Sequence, residues 1–183
     1  MYKKGKGVKQ DNFKALKFFQ KACDLNYGSG CFNLGLSYKE GKGVKQDDFK
    51  ALKFFQKACD LNYSSGCSNL GFMYKEGKGV KQDDFKAFKF FQKACDLNDG
   101  SGCSLLGFMH DRVKGVKQDD FKAVKFFQKA CDLNFSGGCS QLGFMYEKGK
   151  DVRKSNTKAL KYYSKACDLE LALGCKNYAR LKK

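Results

Sequence analysis

Apolar residues return at helical spacing twice in every stretch of about three dozen residues. Ala51, Phe55 and Ala58 are separated by single turns, and Cys67, Leu70 and Tyr74 repeat that spacing a little further on. The two rows predict a pair of helices over about 47–62 and about 65–76, joined by a short turn, with the rows facing each other as a seam. Asp47 or Asp48 suits the cap of the first helix, and Gly41-Lys42-Gly43 ends the preceding helix with residues that accept positive φ. Strand signals are weak, because the apolar runs hold few Val or Ile and sit among Lys, Ala, Leu and Gln. The expected class is all-α.

The pair recurs with a fixed period. Cys23, Cys59, Cys95, Cys131 and Cys167 are 36 residues apart, and so are Cys31, Cys67, Cys103, Cys139 and Cys175. One repeat domain over 1–183 follows, divided at about 11–46, 47–82, 83–118, 119–154 and 155–183. Residues 1–8 align with residues 73–80, so 1–10 reads as the tail of a preceding, truncated repeat. On this reading the chain is part of a longer protein whose secretion signal lies outside it.

Ala51, Ala58 and Gly71 recur in nearly every period and mark the closest helix approaches, since a mid-helix Gly costs about 1 kcal/mol relative to Ala unless packing offsets it. Ala179 replaces that Gly in the last period, where Lys176, Arg180, Lys182 and Lys183 suit a terminal repeat facing water.

Leu70-Gly71-x-x-Tyr74 followed by Ala87-x-x-x-Phe91-x-x-Ala94 resembles the tetratricopeptide signature. With Gly-x-Gly-Val in a longer loop and a 36-residue period, the pattern is similar to the Sel1-like repeat, and the paired Cys resemble the Helicobacter cysteine-rich protein family. The resemblance implies an α/α superhelical solenoid of five 36-residue repeats, one disulfide per repeat, and export to the periplasm or medium. It also implies a possible activity, since relatives are described as β-lactamases or penicillin-binding proteins.

Each Cys-x7-Cys spans the turn between paired helices, a separation a disulfide can bridge. The expected pairs are Cys23 with Cys31, Cys59 with Cys67, Cys95 with Cys103, Cys131 with Cys139, and Cys167 with Cys175. Structural zinc usually takes ligands two to four residues apart, often with His, and His110 is the sole His here, so no metal or other cofactor is expected. Ten paired Cys imply an oxidising compartment, secreted or periplasmic, although no signal peptide stands in this chain. No stretch reaches the roughly 20 apolar residues of a membrane span.

Candidate catalytic groups are few. Ser155-x-x-Lys158 matches the penicillin-recognising Ser-x-x-Lys, but Ser155 falls where Asp47, Asp83 and Asp119 cap helices, and no Ser-Asp-Asn or Lys-Thr-Gly accompanies it. His110 stands at the position of Tyr38, Tyr74 and Tyr146, as a packing substitution would. No catalytic residue is assigned, and a weak β-lactamase or penicillin-binding activity stays an alternative carried by resemblance.

The second helix of each pair lines the concave groove in the tetratricopeptide phasing. Its residues outside the seam vary most between periods: Asn33, Leu36, Ser68, Asn69, Phe72, Ser104, Phe108, Gln141 and Phe144 are the candidate ligand groove. Phe32, Ser140, Leu105, Lys176, Asn177 and Arg180 complete the same rows, whose aromatic members either pack against a neighbouring helix or form a trough. The expected function is an exported scaffold that grips a protein or peptide of a host or of the cell envelope, acting as a monomer. The formal net charge is +17, and three lysines per period (Lys14, Lys17, Lys21 through Lys158, Lys161, Lys165) form an outward stripe. That stripe is either a solvated face or a second site for an anionic polymer or cell-wall glycan. The junction from His110 to Gly115 loses the first Gly of the loop, with no functional account.

Overall fold

The structure is a computed structural model that describes residues 11–112, 120–150 and 152–183. The tail at 1–10, the altered loop beyond Arg112 and the capping position Asp119 lie outside them. Ten α-helices and no strand occur among the described residues. Contacts group the chain into two compact units, Met1–Asp83 and Asp84–Lys183.

The first unit holds α1 (Asn12–Asp24), α2 (Gly28–Glu40), α3 (Asp48–Asp60) and α4 (Ser64–Glu76). The second holds α5 (Asp84–Asp96), α6 (Gly100–Arg112), α7 (Asp120–Asp132), α8 (Ser136–Lys148), α9 (Asn156–Asp168) and α10 (Ala172–Lys182). Within each unit every helix packs against the next in sequence. Helices α1 and α3 start on side-chain caps: Asp11 Oδ1 accepts the N–H groups of Phe13 and Lys14, and Asp47 Oδ1 accepts that of Lys50. Helices α2, α4 and α8 end at Gly41, Gly77 and Gly149, each with φ of 68°, which leaves no Cβ to clash.

The turn within each pair uses a left-handed residue too. Asn26, Asn62, Asn98 and Asn134 hold φ between 58° and 61°, and Glu170 takes the same place at 62° without the local hydrogen bonding that favours Asn there. Directly before and after this turn sit the cysteines. Five disulfides join Cys23–Cys31, Cys59–Cys67, Cys95–Cys103, Cys131–Cys139 and Cys167–Cys175 across Cα separations of 4.5 Å.

The seam rows form the core. Ala51, Phe55, Ala58, Cys67 and Leu70 are fully buried in the first unit, as are Ala123, Phe127, Ala130, Cys139 and Leu142 in the second. The recurrent mid-helix Gly admits the ring of the following helix: a Cβ on Gly35, Gly107 or Gly143 would lie 2.5–2.7 Å from Phe55, Phe127 or Tyr163. Ala179, which carries a Cβ at this register, is exposed.

Candidate functional site

In the second unit the even-numbered helices present one face built from positions i, i+3, i+4 and i+7. These are Ser101, Ser104, Leu105 and Phe108 on α6; Gly137, Ser140, Gln141 and Phe144 on α8; and Leu173, Lys176, Asn177 and Arg180 on α10. An open cavity of about 380 Å³ lies along it, lined by the first seven of these except for the addition of Phe135, Leu171 and Leu173 from the adjoining turns and α10. Its floor is almost wholly apolar, and no charged side chain lines it.

The groove candidates divide accordingly. Ser104, Phe108 and Gln141 line the cavity together with Leu105 and Ser140, although Ser104 and Ser140 are themselves buried. Phe144 is 43% exposed on the same face of α8. Phe108 also meets Phe127 edge-on at 5.1 Å, so its ring is both floor and packing. In the first unit the face is more closed. The Asn33 and Asn69 amides donate back to the carbonyls of Ser29 and Ser65. The Lys39 ammonium donates to Asn69 Oδ1 and lies 5.5 Å from the centre of the Phe72 ring. Ser68 is buried, Leu36 half-buried, and Phe32 packs on Phe55 and Tyr63.

The lysine stripe is largely tied down. Lys14 and Lys50 pair with the capping Asp11 and Asp47 at 3.5 Å, while Lys17, Lys53 and Lys89 lean over the exposed rings of Phe13, Phe49 and Phe85. Lys129 and Lys165 reach back one period and donate to the Cys95 and Cys131 carbonyls at 2.8 Å. Those carbonyls lie in the last turns of α5 and α7, where a cation also suits the helix dipole. These two ammonium groups are therefore joints between repeats, a role that a repeating charge row in sequence does not disclose.

One polar cluster also went unread. Glu147 is 7% exposed and accepts from Arg180 Nη2 at 2.6 Å and from the Tyr163 hydroxyl at 2.9 Å, with Lys148 at 3.2 Å. The Arg180 guanidinium, the main cause, with the Tyr163 hydroxyl and Lys148, outweighs burial and holds the Glu147 carboxyl down to about 2, while burial and Glu147 push the Tyr163 hydroxyl above its usual range. The Glu147 register reads Lys39, Lys75 and then Asp111 in earlier periods, while Phe127 and Phe144 precede Tyr163 and Arg180, so a late switch to acid and two substitutions at 36-residue spacing were the available signal. A carboxyl depressed in the folded state adds stability above its ordinary pKa near 4.5 and loses it as pH falls toward 2. Thermal unfolding followed from pH 7 to pH 2 should therefore show a steeper acid limb for the parent chain than for Glu147→Gln. The difference should reach at most about 3 kcal/mol.

His110 is buried and stacks on Phe126 at 5.5 Å and 10°, the geometry of Tyr38 on Phe54 and of Tyr146 on Tyr162. It fills an aromatic slot. Ser155 caps α9 by accepting the Lys158 N–H at 3.3 Å, and the Lys158 ammonium lies over the Tyr146 ring. Among the described residues no group of His, Cys, Asp or Glu is placed to hold a metal ion, and no helix is long and apolar enough to cross a membrane.

Helix pairs with this period, glycine seam and internal crosslink define an α/α solenoid of disulfide-bonded repeats. The Sel1 repeat model matches residues 1–27, 28–63, 64–99, 100–135 and 136–171, and the chain belongs to the Sel1 repeat family. No curated protein matches the sequence. Among solved structures, a Sel1 repeat protein from Oxalobacter formigenes is 27% identical over 96% of this chain and 79% of its own, with a TM-score of 0.84. Helicobacter pylori cysteine-rich protein B is 39% identical over 75% of this chain and all of its own, with a TM-score of 0.60. A protective antigen of uropathogenic Escherichia coli strains is 29% identical with a TM-score of 0.83, and the similarity covers 93% of this chain but 36% of that one.

Proposed function

We propose that the chain is an interaction scaffold that takes a peptide or protein segment along the exposed face of its even-numbered helices, in an oxidising compartment outside the cytoplasm. The observation that carries this is the apolar cavity of the second unit, which opens at the register positions where the repeats differ most in side chain. Sel1 repeats serve protein interaction as a class, and a shallow apolar floor edged by hydroxyl and amide groups suits an extended segment held by backbone hydrogen bonds and one or two side chains. Paired cysteines in every repeat support the compartment.

Leu105→Lys would place a charge in the floor at a half-buried position. A pull-down from envelope extract and host-cell lysate should yield a protein that survives a wash at about half-molar salt with the parent chain and is lost with this variant, whose melting curve is unchanged. Capture that persists in Leu105→Lys would move binding to another surface. Capture that washes off in salt would place it on the lysines.

A further inference from the structure

The cavity changes character toward α10. On α6 and α8 the exposed face carries apolar, hydroxyl and amide side chains, but on α10 Leu173, which lines the cavity, is followed on the same face by Lys176, Asn177 and Arg180. Helix α10 holds no Asp or Glu, and Leu173, Lys176 and Arg180 are all exposed. Arg180 is not a free-swinging cation. Its Nη2 donates to Glu147, which Tyr163 and Lys148 hold in turn, so the guanidinium is positioned and its other N–H groups remain for a second acceptor.

We propose that this end of the face recognises an acidic-apolar peptide: a bulky apolar side chain enters the cavity beside Leu173, and a carboxylate about three residues along meets Lys176 and Arg180. The inference rests on the groove reading and adds the chemistry of the occupant. Its register follows from geometry. Leu173 and Arg180 are seven residues apart, about 10 Å along the helix axis at 1.5 Å per residue, and three residues of extended chain cover the same length at roughly 3.4 Å each. Charge complementarity selects the sign, since the cavity lining is uncharged and every charged side chain on α10 is basic. A polyanion without an apolar anchor would use the same cations but leave the cavity empty.

The test is selection from a random twelve-residue peptide library displayed on phage, with the oxidised chain as bait, followed by fluorescence anisotropy on the selected peptides. Selected sequences should pair a Leu, Phe or Met with an Asp or Glu about three positions away. Leu173→Ser and Lys176→Glu, both at exposed positions and so expected to fold, should each weaken binding, the second by about fivefold and with reversed preference for a Lys-substituted peptide. An apolar consensus with no acidic partner, unaffected by Lys176→Glu, would overturn this inference and leave the groove reading standing. Peptides whose binding ignores both Leu173→Ser and Leu105→Lys would overturn the two together. Acidic peptides that bind without an apolar residue would assign the cations to polyanions and overturn the inference.

Discussion

Full reduction of the five disulfides is expected to unfold the chain at 37 °C. Each bridge closes a loop of about nine residues, and the loop-entropy model gives roughly 2.5 kcal/mol for each, about 12 kcal/mol for the set. Whole-domain stabilities lie at about 5–15 kcal/mol, so the crosslinks account for much of what holds the fold. Size sharpens the effect, because a repeat contacts only its neighbours and cannot borrow stability from a deep common core. Eight of the ten cysteines are buried, so reduction needs mild denaturant or heat to begin. Circular dichroism melts of the oxidised chain and of a variant with all ten Cys replaced by Ala check this. A melting point that moves by less than about 5 °C would show that packing alone suffices.

Phe127→Ala is expected to cost about 3–5 kcal/mol, the usual penalty for emptying a large aromatic site. The ring is 1% exposed, sits against Gly107 and meets Phe108 edge-on, so its removal opens a void between α6 and α7 that neither neighbour can fill. The converse substitution tests the same contact. Gly107→Ala gains up to about 1 kcal/mol of helix propensity but forces its methyl to within 2.7 Å of the ring, and overpacking costs about 1–3 kcal/mol. Gly107→Ala should therefore destabilise the parent chain and be neutral or stabilising beside Phe127→Leu. Chemical denaturation of the two single variants and the double variant measures that coupling. Additive effects would mean that the Gly is kept for another reason.

Much of this architecture is legible in the sequence because a fixed period carries its own control. Ala51, Phe55 and Ala58 recur together with Cys67 and Leu70, and residues that repeat at one helical register must meet the same neighbour each time. The caps at Asp47 and Ser155 are equally readable, since a short polar side chain before a helix has one obvious partner. Interactions across repeats are harder to see. Lys129 and Lys165 look like any exposed lysine, because a bond to a backbone carbonyl leaves no mark on the partner's identity. Exposure along the candidate groove differs from helix to helix in a way the sequence pattern does not carry. Burial of Ser68 and Ser104, and the return of the Asn33 and Asn69 amides to their own helices, depend on how tightly successive helices close. Glu147, Tyr163 and Arg180 form a group only because packing brings an acidic register and two departures from the period together.

The placement of the covalent bonds has a mechanical meaning. Every bridge lies inside one helix pair, whereas the joints from Lys129 to Cys95 and from Lys165 to Cys131 are hydrogen bonds between successive pairs. Under tension applied at its ends, the contacts between successive pairs, the seam of Phe127 against Gly107 included, can part without breaking a covalent bond, while each pair stays joined. The residues between each pair of cysteines add nothing to the extension. On release, the chain would recoil with those turns still formed.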